Sequence, residues 1–587
     1  MNFIKQIIAS FIGTFFSLFL CLIALPIALL IALLTFAVTQ NEQHTHKQEE
    51  PQIETYACVF NLATPIVEYS SHQSINFSKS TLIDELCSTY KICQAINTSL
   101  ERSKLLFIYG KLNPNTTLAQ VEEIRKAILN HAKQKKVIAY LENPTQLEYY
   151  LASAANEIII NPASDFTLKG IASEPIFFGD SIKKYGVKAQ VVKSGAYKNL
   201  GNMFTENKLS TTDKEHLQQL LDNIWINILK PISKSRNIPV ETLKEIANNS
   251  PIITAQEAKK LGLVDKLCYS DEVVVMLQKI CGKKNESFNS FSLENYNIVA
   301  PFNNLNKKVA VVYMSGDIVE DGNYFDISAK RYVQILRKLR FDKDILGVVL
   351  RIDSGGGSAY ASELIRREVE LLAKEKSVVV SAGSMCASGA YWISTAAHKI
   401  YADDSTIAGS IGVISILFSI KELANDFGVS FDVVKTEEYA NIFSSTKKAS
   451  PQELEKMQKL VDNTYDRFVE LVAKSRKITV EQAKQLADGR VYTGQESIKL
   501  KLVDGIQTLN DTISDMLICC RICSDGINGI EEYPQIDIMQ NFFNDLEDGS
   551  IFVNTPFKFL LDTKNFAQKF DKKSGIYAEI PLKLSIK

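Results

Sequence analysis

Residues 345–383 read ILGVVLRIDSGGGSAYASELIRREVELLAKEKSVVVSAG. The opening ILGVVLRI is a short apolar run rich in valine and isoleucine, the mark of a strand buried on both faces. A glycine cluster interrupts it. YASELIRREVELLAKEK then repeats apolar positions at helical spacing, with basic residues near its end where they suit the helix dipole. SVVVSAG is the next strand. Strand, loop, helix and strand in this order specify an α/β fold with a parallel sheet and right-handed crossovers. Ligands of such sheets sit where strands end and helices begin.

The same pattern stands earlier in the chain. LLFIYG (105–110) is followed by the loop KLNPNTT, the helical stretch LAQVEEIRKAILNHAKQKK (118–136) and the strand VIAYLE (137–142). YLASAANEIIINPASDFTLKG (150–170) resembles WISTAAHKIYADDSTIAGSIG (392–412) at an offset of 242 residues. At that same offset GVKAQVVKSGAYKNL (186–200) falls on GVSFDVVKTEEYANI (428–442). KSRNIPVE (234–241) then matches KSRKITVE (474–481), and ITAQEAKKLGLVDKL (253–267) matches YTGQESIKLKLVDGI (492–506). Four blocks in one order mark a tandem duplication. The expected organisation is an amino-terminal anchor and linker (1–50), a first α/β repeat (51–290), a second (305–525) and a carboxy-terminal tail (526–587). The tail belongs to neither repeat, and its aromatic residues are expected to pack it on the body.

A chain of 587 residues is too long for one core. Its 66 lysines and arginines against 67 acidic residues leave a formal charge of −1, which excludes a nucleic-acid partner held by basic charge. Residues 6–41 carry no charged side chain, and 7–38 are almost wholly apolar. That is longer than a signal-peptide core and long enough to span a bilayer, with Pro26 expected to kink the helix without preventing insertion. Lys5 on the short side places the amino terminus in the cytoplasm and the body outside. Ten cysteines leave the compartment open: Cys87 with Cys93, and Cys519, Cys520 and Cys523, could pair in an oxidising space. CCRIC lacks the second Cys/His pair of a zinc site, so no metal is expected.

The two copies differ where chemistry would sit. The loop DSGGGS (353–358) corresponds to GKLNPNTT (110–117), which has no glycine run. Ser388, in CASGAYWIS, falls near Gln146, whereas Lys198, in SGAYKNL, falls on Ala440. One copy keeps a lysine, the other a serine and a glycine loop, so two half-sites make one whole. Serine is a common helix cap and a lone lysine is usually solvated, but neither role explains complementary loss. A serine hydroxyl needs an adjacent base, and a neutral lysine can serve. The N–H groups of Gly357 and Gly389 can form an oxyanion hole. His398 is expected ten residues beyond Ser388 on the same helix, pointing away, and His131 and His216 lie in charged helical stretches.

Together CASGAYWIS, SGAYKNL and DSGGGSAYASELI resemble the serine, lysine and glycine-loop motifs of the long, tandem-repeat form of signal peptide peptidase A. Where that family usually has proline before the paired glycines this chain has Gly355, which is expected to loosen the loop and keep its donors. The resemblance implies two tandem ClpP/crotonase-like repeats behind an N-terminal transmembrane helix. It implies a Ser/Lys dyad with Ser388 as nucleophile and Lys198 as general base, a hydrogen bond from Ser410 to the lysine, and no cofactor. It further implies a homotetrameric bowl on the bacterial inner membrane, single-pass, with the catalytic body on the periplasmic side. Its partners would be membrane lipid and the hydrophobic signal-peptide fragments it degrades. Two other classes compete. A catalytically inactive membrane-anchored scaffold would lack part of the dyad, and a crotonase-type acyl-CoA enzyme needs neither the pair nor an anchor.

Overall fold

The computed structural model describes residues 56–69, 87–293, 307–323, 325–522 and 529–535, and the backbone of 576–578. Contacts divide the chain into Met1–Ile53 and Glu54–Lys587, and every described residue belongs to the second unit. The apolar run at 7–38 lies outside the described residues, and among these no helix is long and apolar enough to cross a membrane.

In the first repeat β1 (Ala57–Asn61), β2 (Leu105–Tyr109), α1 (Leu118–Ala132), β3 (Lys136–Leu141), α2 (Gln146–Ala152) and β4 (Glu157–Ile160) follow the expected alternation. A capping box between Thr117 and Gln120 starts α1. After these come β5 (Lys188–Ser194), α3 (Thr211–Arg236), β6 (Lys266–Leu267) and β7 (Ser290–Ser292). The sheet runs β6-β4-β3-β2-β1-β7, all parallel.

The second repeat opens with β8 (Lys308–Ser315), β9 (Ile318–Val319) and β10 (Ile327–Ser328). Then come β11 (Ile345–Ser354), β12 (Gly357–Ser358), α4 (Ala359–Glu375), β13 (Ser377–Ala387) and α5 (Gly389–Ser394). It continues through β14 (Lys399–Ala402), β15 (Ile407–Gly409), β16 (Val413–Ser419) and α6 (Pro451–Arg476) to β17 (Val491–Tyr492), β18 (Gly505–Ile506), α7 (Leu509–Cys519) and β19 (Ile530–Tyr533). Its parallel strands run β18-β14-β13-β11-β8-β19. Strand for strand this is the first sheet again, and its edge strand β19 comes from the stretch 526–587, which was expected to belong to neither repeat. The long helices α3 and α6 also correspond, each ending on a left-handed residue, Asn237 and Lys477, at the matched KSR motif.

The copies interlock. Strand β5 pairs antiparallel with β16 of the second repeat, from Val413 opposite Ser194 to Ser419 opposite Lys188. The core of the first repeat also takes in Ala387, Ile407 and Val491 of the second. The reciprocal pairing does not form. Residues 430–436, the counterpart of β5, make no strand, and Val434 is 100% exposed. Residues 171–177, the counterpart of β16, make none either.

A third sheet runs β10-β9-β12-β20-β16-β5, in which β20 (Ile576–Ala578) comes from the tail. The disulfide that Cys87 and Cys93 could make in an oxidising space is not formed between them. Both are buried and fill the first repeat's core, Cys87 opening a short strand and Cys93 lying inside the helix Thr89–Thr98. Cys519 and Cys520 are unpaired, and Cys523 lies outside the described residues.

Candidate active site

Strand β5 hands the chain to a tight turn in which the Lys198 N–H donates to Gly195 O at 3.1 Å and the Tyr197 N–H to Asp488 O at 2.7 Å. Gly489 lets the second repeat close on this turn: a Cβ there would lie 2.6 Å from Lys198 N, and its φ is +91°. Lys198 is therefore drawn inside, at 1% exposure, rather than solvated. Its Nζ donates to Ser388 Oγ at 2.5 Å, to Ser410 Oγ at 2.9 Å and to Ser410 O at 3.1 Å.

Ser388 sits at the junction of β13 and α5 with φ 58° and ψ −117°. A non-glycine residue at positive φ stores strain on the order of 1–3 kcal/mol. The conformation is held by backbone bonds, Ser388 N–H to Gly409 O and Trp392 N–H to Ser388 O, both 2.8 Å. The side chain makes no capping bond to α5, so its hydroxyl is left to Lys198. In the first repeat Gln146 opens the matching helix α2 and uses its amide to hold Lys169 and Gly170.

The helix after Ser388 is shorter than expected. It ends at Ser394, the next residues turn, and His398 leads into β14 with Nδ1 3.1 Å from Val378 N, so it does not share the helix with Ser388. His131 bonds Ile96 O and His216 bonds Val491 O, both at 3.0 Å. Every described histidine ring is thus held by backbone away from Ser388.

The glycine loop closes the site on its other side. Ser354 Oγ accepts from the Gly356 N–H at 3.1 Å, and Gly356 O accepts from the Ile318 N–H at 3.0 Å. A Cβ on Gly357 would lie 2.1 Å from Ile318 O. A Cβ on Gly389 would lie 3.3 Å from Gly357 N and 2.6 Å from Ser362 Oγ, so the two glycine backbones abut beside Ser388. Asp353 ties the loop's strand to the serine's strand, its Oδ1 accepting from the Met385 N–H at 2.9 Å. Burial, with Glu68 adding, pushes the Asp353 carboxyl up to about 7.

A buried ion cluster missed in the sequence joins the repeats beneath these loops. Arg351 of β11 reaches Glu68 at 2.8 Å and Glu123 at 2.7 Å, both from the first repeat, and Ser381 and the Ala382 carbonyl at 3.1 Å. Asp403 lies 3.9 Å away. Burial raises the Glu123 and Asp403 carboxyls. Beside them Glu122 accepts from the Ser405 N–H, and burial lifts it to about 8. Among the described residues no group of three or more His, Cys, Asp or Glu is arranged to hold a metal ion.

The model of peptidase family S49 matches residues 130–283 and 370–518. Protease 4 of Haemophilus influenzae is 31% identical over 507 residues, covering 82% of this chain and 79% of that protein. Protease 4 of Salmonella typhi is 33% identical over 68% of this chain and 66% of its own length. A putative signal peptide peptidase SppA of Enterococcus faecium is 33% identical over 36% of this chain and 63% of its own length. Among solved structures a ClpP1 N165D mutant from Listeria monocytogenes covers 35% of this chain and 94% of its own, with TM-score 0.24 and 16% identity. The α/β repeats and these relatives define a serine protease. The chain belongs to peptidase family S49, in its SppA-type branch.

Proposed function

We propose that this chain is a membrane-anchored endopeptidase in which Lys198 activates Ser388 against apolar peptides, the remnants of signal peptides foremost. One contact carries the reading: Lys198 Nζ of the first repeat lies 2.5 Å from Ser388 Oγ of the second. The lysine is 1% exposed and the serine 0%. A neutral Lys198 takes the Ser388 proton as Oγ bonds the scissile carbonyl carbon. The negative charge that develops on the carbonyl oxygen meets the N–H groups of Gly357 and Gly389. Lys198 then gives the proton to the departing amine, and a water, activated in the same way, hydrolyses the acyl ester. Ser410, bonded to Nζ through both its hydroxyl and its carbonyl, keeps the amine aimed at Ser388. The presence of both dyad members weighs against an inactive scaffold.

The apolar run at 7–38 supports a single-pass anchor in a bacterial inner membrane, and Lys5 a periplasmic body. Assembly as a homotetramer has a physical motive. Strand β5 pairs with β16 inside the chain, while their counterparts at 430–436 and 171–177 stay unpaired, with Val434 100% and Ile176 66% exposed. Copies joined head to tail would satisfy both and close a ring. The name of the Enterococcus faecium relative supports the substrate class. The test is to offer the purified full chain, in detergent micelles, a synthetic signal peptide and a folded soluble protein. Cutting within the peptide's apolar core, abolished by Ser388→Ala, is expected. Equal cutting by parent and Ser388→Ala would overturn the proposal.

A further inference from the structure

Three consecutive residues of the second repeat, 488–490, grip both the turn that carries Lys198 and the backbone of Ser410. The Asp488 carbonyl accepts the Tyr197 N–H at 2.7 Å, and the Arg490 carbonyl accepts the Ser410 N–H at 2.6 Å. Ser410 has φ 49°, a left-handed backbone that a non-glycine residue keeps only where its surroundings hold it. The Gly409 carbonyl just before it accepts the Ser388 N–H at 2.8 Å. The Arg490 side chain meets the lysine's turn: its guanidinium lies 4.4 Å from the centroid of the Tyr197 ring. Asp488 sets that pose, its carboxylate accepting from Arg490 Nε at 2.7 Å and from the Arg490 N–H at 3.1 Å. Contacts thus close a ring from Lys198 to Ser410, Arg490, Tyr197 and back to Lys198.

The duplication separates what the fold needs from what the site adds. In each copy a tyrosine of this turn packs on the long helix that follows. Tyr197 meets His216 of α3 with ring centroids 5.3 Å apart, and Tyr439 lies under Lys456 of α6 at 4.3 Å. That contact belongs to the repeat. Tyr197 has the Arg490 guanidinium in addition, and where the second repeat has Asp488, Gly489 and Arg490 the first has Asn249, Ser250 and Pro251. The arginine therefore stands only in the copy whose 488–490 segment faces the lysine. We propose that Arg490 is a positioning residue which, on the reading of Lys198 as the base, aims Nζ at Ser388 by clamping Tyr197 with its guanidinium and Ser410 with its carbonyl. A planar guanidinium suits the task, since it stacks on an aromatic face while its edge pairs with a carboxylate.

The test is hydrolysis of a fluorogenic apolar peptide by the full chain in detergent micelles, with kcat and KM read separately and Tm followed beside them. Arg490→Gln keeps the backbone carbonyl for Ser410 and takes the cation from Tyr197. It should lower kcat at least about tenfold with KM within about twofold of the parent, the signature of a displaced catalytic group. Arg490→Lys returns a cation to the ring, as Lys456 supplies one to Tyr439, and should restore kcat to within about threefold of the parent. In a Tyr197→Leu chain, itself slowed by a similar factor, Arg490→Gln should cost less than about twofold more, because both changes break one contact. Parent kcat in Arg490→Gln, an equal loss in Arg490→Lys, or losses that multiply in full in the double variant would overturn the role of Arg490. Should Arg490→Gln not fold, Tyr197→Leu decides: a kcat lowered about tenfold at unchanged KM supports the clamp, and parent kcat overturns it. Lys198→Met keeps the two readings apart. If it is inactive while Arg490→Gln runs at the parent rate, Arg490 fails and the dyad stands; if Lys198→Met itself runs at the parent rate, the dyad fails.

Discussion

Gly389→Ala separates the chemistry of the site from its packing. The backbone of Gly389 is not in the left-handed region, so alanine fits the local conformation. Its methyl would lie 2.6 Å from Ser362 Oγ and 3.3 Å from Gly357 N. The first contact is an overpacking, and Ser362 is not free to yield because its hydroxyl donates to Ser358 O at 2.8 Å. Such strain costs about 1–3 kcal/mol of stability. The second contact sets a methyl where the oxyanion should meet the Gly357 N–H, and losing one such donor costs about 2.7–4 kcal/mol in the transition state. Expected, then, is a fall in kcat of roughly 100- to 1,000-fold with KM little changed, alongside a lowered Tm. The assay is hydrolysis of a fluorogenic apolar peptide, with melting followed in parallel. Adding Ser362→Ala removes the 2.6 Å contact and leaves the 3.3 Å one. The double variant should regain Tm but not kcat. Recovery of kcat with Tm would show that Gly389 acts through packing and that no oxyanion hole lies there.

Ser410→Ala removes the 2.9 Å hydroxyl contact to Lys198 Nζ but leaves the carbonyl contact. It should lower kcat by roughly tenfold, in keeping with one hydrogen bond, with KM unchanged; a pure KM effect would deny Ser410 the positioning role. Glu122 faces Ser405, Asp404, Glu123, Arg125 and Tyr150, and burial lifts its carboxyl from the usual range to about 8. The folded chain therefore keeps a proton that the unfolded chain has lost, and this contribution to stability disappears as pH rises toward about 8. Glu122→Gln should make the fall of Tm between pH 6 and 8 shallower, and an unchanged slope would contradict the buried-acid reading. Val434, 100% exposed, should lie in a contact between copies. Val434→Asp is expected to turn a tetramer into monomers in light scattering, and a tetramer that survives would refute the strand exchange.

Most of the fold was legible because strand and helix periods differ and the chain states them twice. Apolar ILGVVLRI and helical YASELIRREVELLAKEK appear where their patterns put them, as β11 and α4. The pairing of Lys198 with Ser388 was legible for another reason. Each copy lost what the other kept, and no single-copy role explains that. What escaped was contact between distant segments. The strained backbone of Ser388 escaped because positive φ leaves no trace in the residue type. His398 was carried onto the same helix because STAAH has no proline or glycine to stop it, although the helix ends at Ser394. Arg351 hid inside an apolar strand, and its charge there was the signal that carboxylates must come from elsewhere in the fold. Gly489, where the other copy has Ser250, was a further asymmetry of the same informative kind. The unpaired segment at 430–436 was not foreseeable, since it repeats the VVK of β5 and only topology leaves it without a partner, whereas 171–177 carries Glu174 and Pro175 where β16 has Ile416 and Leu417, a signal against a strand.

The account stands on Lys198 as the base for Ser388, and the rate of covalent capture of the serine tests it most directly. A fluorophosphonate is added to the full chain and to Lys198→Met, and the modified residue and its rate of formation are followed by mass spectrometry. Capture at Ser388 in the parent, slowed at least about a hundredfold in Lys198→Met, is the predicted result. Capture of Ser388 at an unchanged rate without the lysine, or capture at a different serine, would contradict it.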